Sequence, residues 1–252
     1  MELWEALAIL IAGVAAGGIN AIAGSGTLFT FPVLLALGYP PITATISNSV
    51  GLAPGTLSGT IAYRRELAGQ KERLIRFGTM SFLGAFTGAM LLIYLPSGVF
   101  ESVVPFMIGG ACLLIIFQPR ITKWARSRKP ASKNGGVWMP VGAYGAGTYG
   151  GYFAAAQGII LISLLGATLD DDLQRLNALK NALATIANST AAVFYIVLAS
   201  PAWPVVALLA VGTIVGGYLG ANFGRRLSPT ALRAVLVIVG LTAAVQLIMG
   251  RV

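Results

Sequence analysis

Long stretches without charge constrain this sequence more than any other feature. No charged residue occurs between Glu5 and Arg64, and residues 134–169 and 181–224 are uncharged as well. Only 10% of the residues are charged, whereas soluble domains carry about 25%. The apolar residues form continuous runs, which favours helices over the alternating strands of a β-barrel. The sequence therefore predicts an all-α membrane protein, a polytopic helical bundle.

The charges that remain are mostly basic. The net charge is +9, and the chain has no histidine and one cysteine, Cys112. In a membrane protein a basic excess belongs to cytoplasmic loops, so we expect no nucleic-acid partner. A chain without histidine cannot build a Ser-His-Asp hydrolase and is poorly equipped for a His/Cys metal site. We therefore expect no enzyme activity, no cofactor and no metal site.

Between Gly17 and Gly38 small residues interrupt the first apolar region. One apolar segment is expected to end at Gly17-Gly18, and another, Thr27–Leu37, begins after Gly24-Ser25-Gly26. The second segment is too short to cross a bilayer, which takes roughly 20 apolar residues. It is predicted to be a half-helix whose N–H groups and positive dipole end face an anion or water near the midplane. Broken helices of this kind hold substrates in many secondary transporters.

The second half of the chain repeats this pattern. Gln157-Gly158 opens a short apolar piece, Ile159–Leu165, that is expected to end at Gly166. The segment Ala44–Ser49 matches Ala184–Ser189 in all but one residue. Each half is predicted to hold one broken or re-entrant half-helix and about three full transmembrane helices. The full helices are expected at Ile42–Tyr63, Phe77–Leu95 and Ser102–Phe117, in a long helix that ends at Leu198, and at Val205–Ala221 and Leu232–Met249.

Basic residues divide the chain and orient its halves. The predicted units are an N-terminal membrane repeat, 1–119, a basic cytoplasmic linker, 120–136, and a C-terminal membrane repeat, 137–252. Arg64 and Arg65 follow the first full helix, whereas the matching loop 199–204 is uncharged and the next loop carries Arg225-Arg226. Because basic loops share the cytoplasmic side, the halves are predicted to be inverted repeats with both chain ends outside. In each half, the short helix and the apolar segment before it form either a re-entrant hairpin or two short membrane crossings. Both arrangements give the half an odd number of net crossings, so both stay open.

Small and polar residues at the breaks and in the following helices form the predicted substrate site. They are Ser25, Gly26, Thr27, Asn48, Ser49, Gln157, Gly158, Lys180, Asn188 and Ser189. The alternative interpretation is close packing through small residues and hydrogen bonds between helices, and for the Asn-Ser pairs both stay open. Lys180 either extends to the interface or closes an anion site from the cytoplasmic side. Asp170–Asp172 are expected to cap the next helix.

Several short motifs, in this order, resemble the sulfite exporter TauE/SafE family. The motifs are Gly17-Gly18, Ala23–Gly26, Phe31–Leu34, Leu37-Gly38, Leu176–Asn181, Ile186–Asn188, Trp203, Gly216–Gly220 and Leu232-Arg233. The resemblance implies a bacterial inner-membrane carrier that exports sulfite or a small organosulfonate. The sequence departs from many members at Ser25, where they carry glycine, and at Gln157. Both departures add hydrogen-bonding groups and bear on the choice of substrate.

The leading hypothesis is a secondary transporter that exports a small sulfur oxyanion. The chain has no phosphate-binding P-loop, so ATP cannot drive transport from within it. The alternatives are an uptake carrier for a related anion, a cation-coupled permease, a membrane-embedded enzyme and a structural subunit. The expected partners are the substrate and the lipid bilayer, and a homodimer is left open.

Overall fold

The structure, a computed structural model, describes residues 1–127, 135–223 and 229–249. In these ranges the chain forms ten α-helices, which confirms the predicted helical bundle. They are α1 Leu3–Ala23, α2 Thr27–Ala36, α3 Pro41–Ala62, α4 Lys71–Tyr94, α5 Ser97–Ser127, α6 Trp138–Tyr152, α7 Gln157–Thr168, α8 Leu173–Leu198, α9 Trp203–Phe223 and α10 Pro229–Ile248. Arg128, Lys129, Lys133, Arg225, Arg226 and the side chain of Arg126 lie outside the described residues.

Five helices in the described part of the chain are long and apolar enough to cross a membrane. These spans are Leu3–Ala23, Lys71–Tyr94, Ser97–Ile121, Leu173–Leu198 and Trp203–Asn222. By contrast, α2 has 10 residues and α7 has 12. At 1.5 Å per residue α2 is about 15 Å long, half of a bilayer's hydrocarbon core. The two short helices predicted after the breaks are therefore present.

The expectation that the first apolar segment stops at Gly17-Gly18 is wrong. α1 continues through both glycines to Ala23, because they serve as contact points and not as a break. A Cβ placed at Gly17 would come closer than 3.0 Å to the backbone of Thr213 and Gly217 on α9. The absence of a side chain thus lets α1 and α9 touch along their backbones, as small residues do between membrane helices.

Four boundaries of three other helices also shift. α5 begins at Ser97, before the expected Ser102, and continues past Phe117 to Ser127. α4 begins at Lys71, before the expected Phe77, and α7 runs through Gly166 to Thr168. Charged residues were interpreted as loop, yet a helix continues beyond its apolar part when its polar residues can reach water. Arg120 and Lys123 therefore lie on α5.

Several connections meet at one end of the bundle, which we call the basic end: residues 63–70, 135–137 and 169–172. Arg73 Nη1 donates to Asp171 Oδ2 at 2.5 Å, and Arg175 Nε donates to Asp171 Oδ1 at 2.9 Å. Arg175 also donates to the carbonyl oxygen of Ala68, at 3.1 Å. These bonds join the start of α4 to the start of α8.

The carboxylates at this end have local partners. Asp172 accepts a hydrogen bond from the backbone N–H of Gln174 at 3.0 Å, so it caps α8 as predicted. Burial alone would raise the pKa of the Asp171 carboxyl. The hydrogen bonds from Arg73 and from the backbone of Asp172, with the charges of Arg175 and Arg73, outweigh it and lower that pKa. Asp171 therefore stays ionised between two arginines.

Candidate functional site

The two breaks in the chain meet inside the bundle. The backbone N–H of Gly158 donates to the carbonyl oxygen of Gly24 at 3.0 Å. Gly24 has a φ of +71°, and a Cβ on either glycine would come closer than 3.0 Å to the other's backbone. This contact brings the starts of the two short helices together, and it requires glycine on both sides.

The second break carries an unusual backbone. Ala154 and Ala156 have φ values of 65° and 60°, and both residues are buried. A left-handed conformation costs a residue with a side chain about 1–2 kcal/mol. No pattern in the sequence indicates it, because alanine is not a typical turn residue. The tertiary structure therefore holds this break open against a local cost.

Polar side chains at the first break are largely paired with one another. Asn48 Nδ2 donates to Thr27 Oγ1 at 3.2 Å, and Thr30 Oγ1 donates to Asn48 Oδ1. All three are buried, and the bonds fix the first turn of α2 to α3. Thr30 was not among the predicted site residues. Thr27 and Asn48 therefore position the helix start.

Ser25 differs from these neighbours. Its side chain is 1% exposed, and its hydroxyl has no hydrogen-bond partner in the structure. Leaving a buried hydroxyl unpaired costs about 1–3 kcal/mol. It lies directly before α2, whose N-terminus has no side-chain cap. An unpaired donor beside a helix N-terminus is suited to a bound anion.

The remaining predicted residues divide into two groups. Gly26 packs against the backbone of Ala16, and Gln157 Nε2 donates to the carbonyl oxygen of Ala146 at 3.0 Å, so both join neighbouring helices. Ser49 on α3 and Asn188 on α8 are buried, and Ser189 is partly buried. Among the described residues no hydrogen bond links these last three side chains to either break.

Lys180 lies two turns inside α8 and not at its start. Its side chain is 1% exposed, and Nζ donates a long hydrogen bond of 3.4 Å to the carbonyl oxygen of Ala21. Asn181 Nδ2 donates to the same oxygen, also at 3.4 Å. Ala21 is in the last turn of α1, where backbone carbonyls carry partial negative charge. The amine therefore points into the bundle.

Lys180 also lines a cavity of about 460 Å³. Two further cations line it, Lys123 from α5 and Arg233 from α10, whose Nε donates to Gln118 Oε1 at 3.3 Å. The other lining residues are Ile22, Ala23, Pro119, Ile162 and Leu173. No carboxylate is among these lining residues, so the cavity presents positive charge from three helices.

Sequence reasoning found one of these three cations. Lys123 was assigned to a solvated linker, and Arg233 was noted only as part of a family motif. Their positions on helices α5 and α10 bring them to the cavity, and no spacing in the sequence indicates that those helices pack together. Ile22 and Ala23 immediately precede Gly24, so the cavity adjoins the first break.

Comparisons with known proteins identify one transporter family and several probable membrane transporters. Residues 9–247 match the family described as sulfite exporter TauE/SafE. The probable membrane transporter protein YfcA of Escherichia coli K12 is 27% identical over 242 residues, 92% of this chain and 86% of YfcA. A probable membrane transporter protein of Haemophilus influenzae Rd is 26% identical over 245 residues, 97% of this chain and 95% of that protein. No solved structure matches the chain.

Proposed function

Because the chain belongs to the sulfite exporter TauE/SafE family, we propose that it is a secondary transporter that exports a small sulfur oxyanion or organosulfonate across a bacterial inner membrane. The observation that carries the proposal is Lys180, a buried cation that lines a cavity with two further cations and no carboxylate. Buried charges in membrane helices need a partner. A transported anion supplies that partner here.

The acidic residues of the chain support this choice. The eight lie at Glu2, Glu5, Glu66, Glu72, Glu101 and Asp170–Asp172, and none is deeper than the first two turns of a helix. No carboxylate is therefore available inside a span to neutralise Lys180. The same distribution disfavours a site for a cation, which would need acidic ligands.

We place the anion where the cavity adjoins the first break. There it would face the ammonium of Lys180, the unpaired hydroxyl of Ser25 and the N-terminus of α2. These three donors are matched to the oxygens of a sulfonate or sulfite group. Thr27 and Asn48 would hold α2 in position, and Gly158 would support the break from the second half.

We further infer that the two halves are inverted repeats. If α1–α5 correspond to α6–α10, the main helix contacts occur in matching pairs. α1 packs on α9 as α6 packs on α4, and α2 packs on α10 as α7 packs on α5. The same correspondence turns the contact between α3 and α8 into itself, and it does so for the contact between α5 and α10. This pairing supports a two-fold relation, with the breaks and the substrate close to its axis.

A flux assay in liposomes tests the transport proposal. Purified protein is reconstituted, and efflux of sulfite, sulfate, thiosulfate and sulfoacetate is compared with that from empty liposomes. We expect saturable flux of at least one of these anions. If none of the four moves faster than in empty liposomes, the substrate class is wrong.

Two lysine substitutions locate the site in the same assay. Lys180→Ala should lower anion affinity by about 1.5–3 kcal/mol, the value of a hydrogen bond to a charged group, which is roughly a ten- to hundredfold loss. Lys71→Ala is the matched control, because Lys71 is exposed at the same end of the bundle and does not line the cavity. Equal affinities for both variants would remove Lys180 from the site.

A further inference from the structure

Lys180 differs from the arginines at the basic end in the kind of partner that it has. Arg73 and Arg175 share the carboxylate of Asp171, but Lys180 is buried and its hydrogen-bond partner is a neutral carbonyl oxygen. A helix C-terminus offers only about half of an elementary charge. Among the described residues of the empty protein the ammonium thus has no full counterion.

α4 packs along α8 but holds its charged residues at the basic end, where Arg73 pairs with Asp171, and α6 carries no charged residue. The other charged and titratable groups near the amine come from the helices around the cavity. α5 contributes Lys123 and α10 contributes Arg233, both basic. Tyr63, at the end of α3, belongs to the small apolar cluster that adjoins the amine, and α1 presents the carbonyl oxygen of Ala21. α7 contributes only an alkyl side chain to the cavity. Nothing in this set compensates a positive charge, and two members of it repel one.

We propose that Lys180 takes up a proton when the anion binds and releases it when the anion leaves, so that the protein carries the two together. This inference rests on the proposed function. In the empty site an unpaired ammonium is unfavourable, whereas beside a bound anion it is paired. On binding, the lone pair of Nζ takes a proton from a hydronium ion supplied by the solvent, so an N–H bond forms as an O–H bond breaks and water remains. On release the N–H bond breaks, the electron pair returns to Nζ, and the proton passes to water on the side where the anion leaves.

Proton coupling changes what drives transport. Each anion moves together with one proton, so the net charge transported per anion is one unit more positive than the charge of the anion alone. A monovalent sulfonate would then move without net charge and would not respond to membrane potential. A pH difference across the membrane would drive any of the substrates toward the more alkaline side. Export of a divalent anion with one proton would therefore run with a membrane potential that is negative inside and against a pH difference that is acid outside.

Two measurements test the coupling, with the anion that the flux assay identifies. Binding to detergent-solubilised protein in weak buffer, followed with a pH dye, should take up one more proton per anion in the wild type than in Lys180→Arg, whose guanidinium stays charged. In liposomes whose membrane potential is clamped with potassium and valinomycin, we measure the anion concentration ratio at which net flux is zero. This ratio should change with the pH difference by the amount expected for one proton per anion. Wild-type flux that ignores the pH difference would overturn the inference and leave the proposed transport intact.

Further variants separate a loss of proton uptake from a general loss of structure. Lys180→Gln should bind the anion more weakly and, like Lys180→Arg, take up no extra proton. Lys71→Gln keeps the proton uptake per bound anion, because Lys71 is exposed and does not line the cavity. Equal proton uptake by the wild type and Lys180→Arg would overturn the inference. If neither Lys180 variant folds, the zero-flux measurement on the wild type decides it, and absence of binding and flux for all four anions overturns both proposals.

Discussion

Ser25 has a buried hydroxyl without a hydrogen-bond partner among the described residues. Ser25→Ala removes no hydrogen bond within the protein, so the free energy of unfolding should stay the same or rise slightly. Anion affinity should fall by about 1.5–3 kcal/mol if the hydroxyl donates to the substrate. Ser163→Ala is the matched control, because Ser163 also has an unpaired buried hydroxyl but lies within α7. Binding measured by calorimetry checks this, and equal affinities for the two variants would contradict a substrate role for Ser25.

Gly24 is constrained by its positive φ and by a close backbone contact, and comparison with Gly38 separates the two effects. Both Gly24 and Gly38 have positive φ, +71° and +81°, but only at Gly24 would a Cβ meet another backbone, that of Gly158. Gly38→Ala should therefore cost about 1–2 kcal/mol from backbone strain. Gly24→Ala should cost a further 1–3 kcal/mol or so from overpacking. Unfolding in detergent measures both, and equal losses would mean that the two breaks are not held in contact.

At the residue scale, the sequence singles out side chains that are unusual for their position. A lysine at the start of a long uncharged region and a serine between two glycines stand out in a one-dimensional pattern; Lys180 lines the cavity, and Ser25 lies at the first break. Thr30, Lys123 and Arg233 did not stand out, since their roles depend on which helices pack together. Gln157 stood out, yet its amide bonds to Ala146.

At the scale of helices, a glycine in an apolar run has two meanings that the sequence does not separate. Gly24 and Gly26 end one helix and start another, whereas Gly17 lies inside α1 and contacts α9. Both arrangements exploit the missing side chain, one for backbone conformation and one for close approach. The short length of α2 was predictable because too few apolar residues follow the break. The end of α1 was not, because its packing partner is almost two hundred residues away.

Asp171 connects helices α4 and α8 through two arginines and makes their junction sensitive to acid. Because its pKa is lowered in the folded protein, its contribution to stability is present above the pKa of the unfolded chain, about 3.9, and is lost as the pH falls through the folded value. Asp171→Asn should lower the free energy of unfolding at neutral pH by about 1.5–3 kcal/mol. Thermal unfolding at several pH values checks this, with exposed Asp170→Asn as the control. A variant as stable as wild type at neutral pH would show that the junction does not depend on this carboxylate.

At the scale of the molecule, the two halves are interlocked. α1 packs on α9 and α4 packs on α6, so the most extensive helix contacts cross from one half to the other. A repeat in the sequence predicts two similar units, and side-by-side units would satisfy it equally well. The crossing arises from glycine contacts such as Gly84 and Gly88 against α6, which a repeat pattern alone does not specify. It also brings the two breaks into contact, which two separate units would not do.

The orientation of the whole molecule follows from its charges. The described lysines and arginines all lie in or toward the basic end, and the opposite end carries Glu2, Glu5 and Glu101. Basic loops stay in the cytoplasm, so the basic end should face inward. Single cysteines at Lys71 and Ser97, both exposed, test this after Cys112, the one native cysteine, is changed to alanine. A membrane-impermeant maleimide applied to intact spheroplasts should label Ser97→Cys, and Lys71→Cys only after permeabilisation. The reverse labelling pattern would place the basic end, with the cavity and Lys180, on the outside of the membrane. A substrate for export could not then enter the cavity from the cytoplasm.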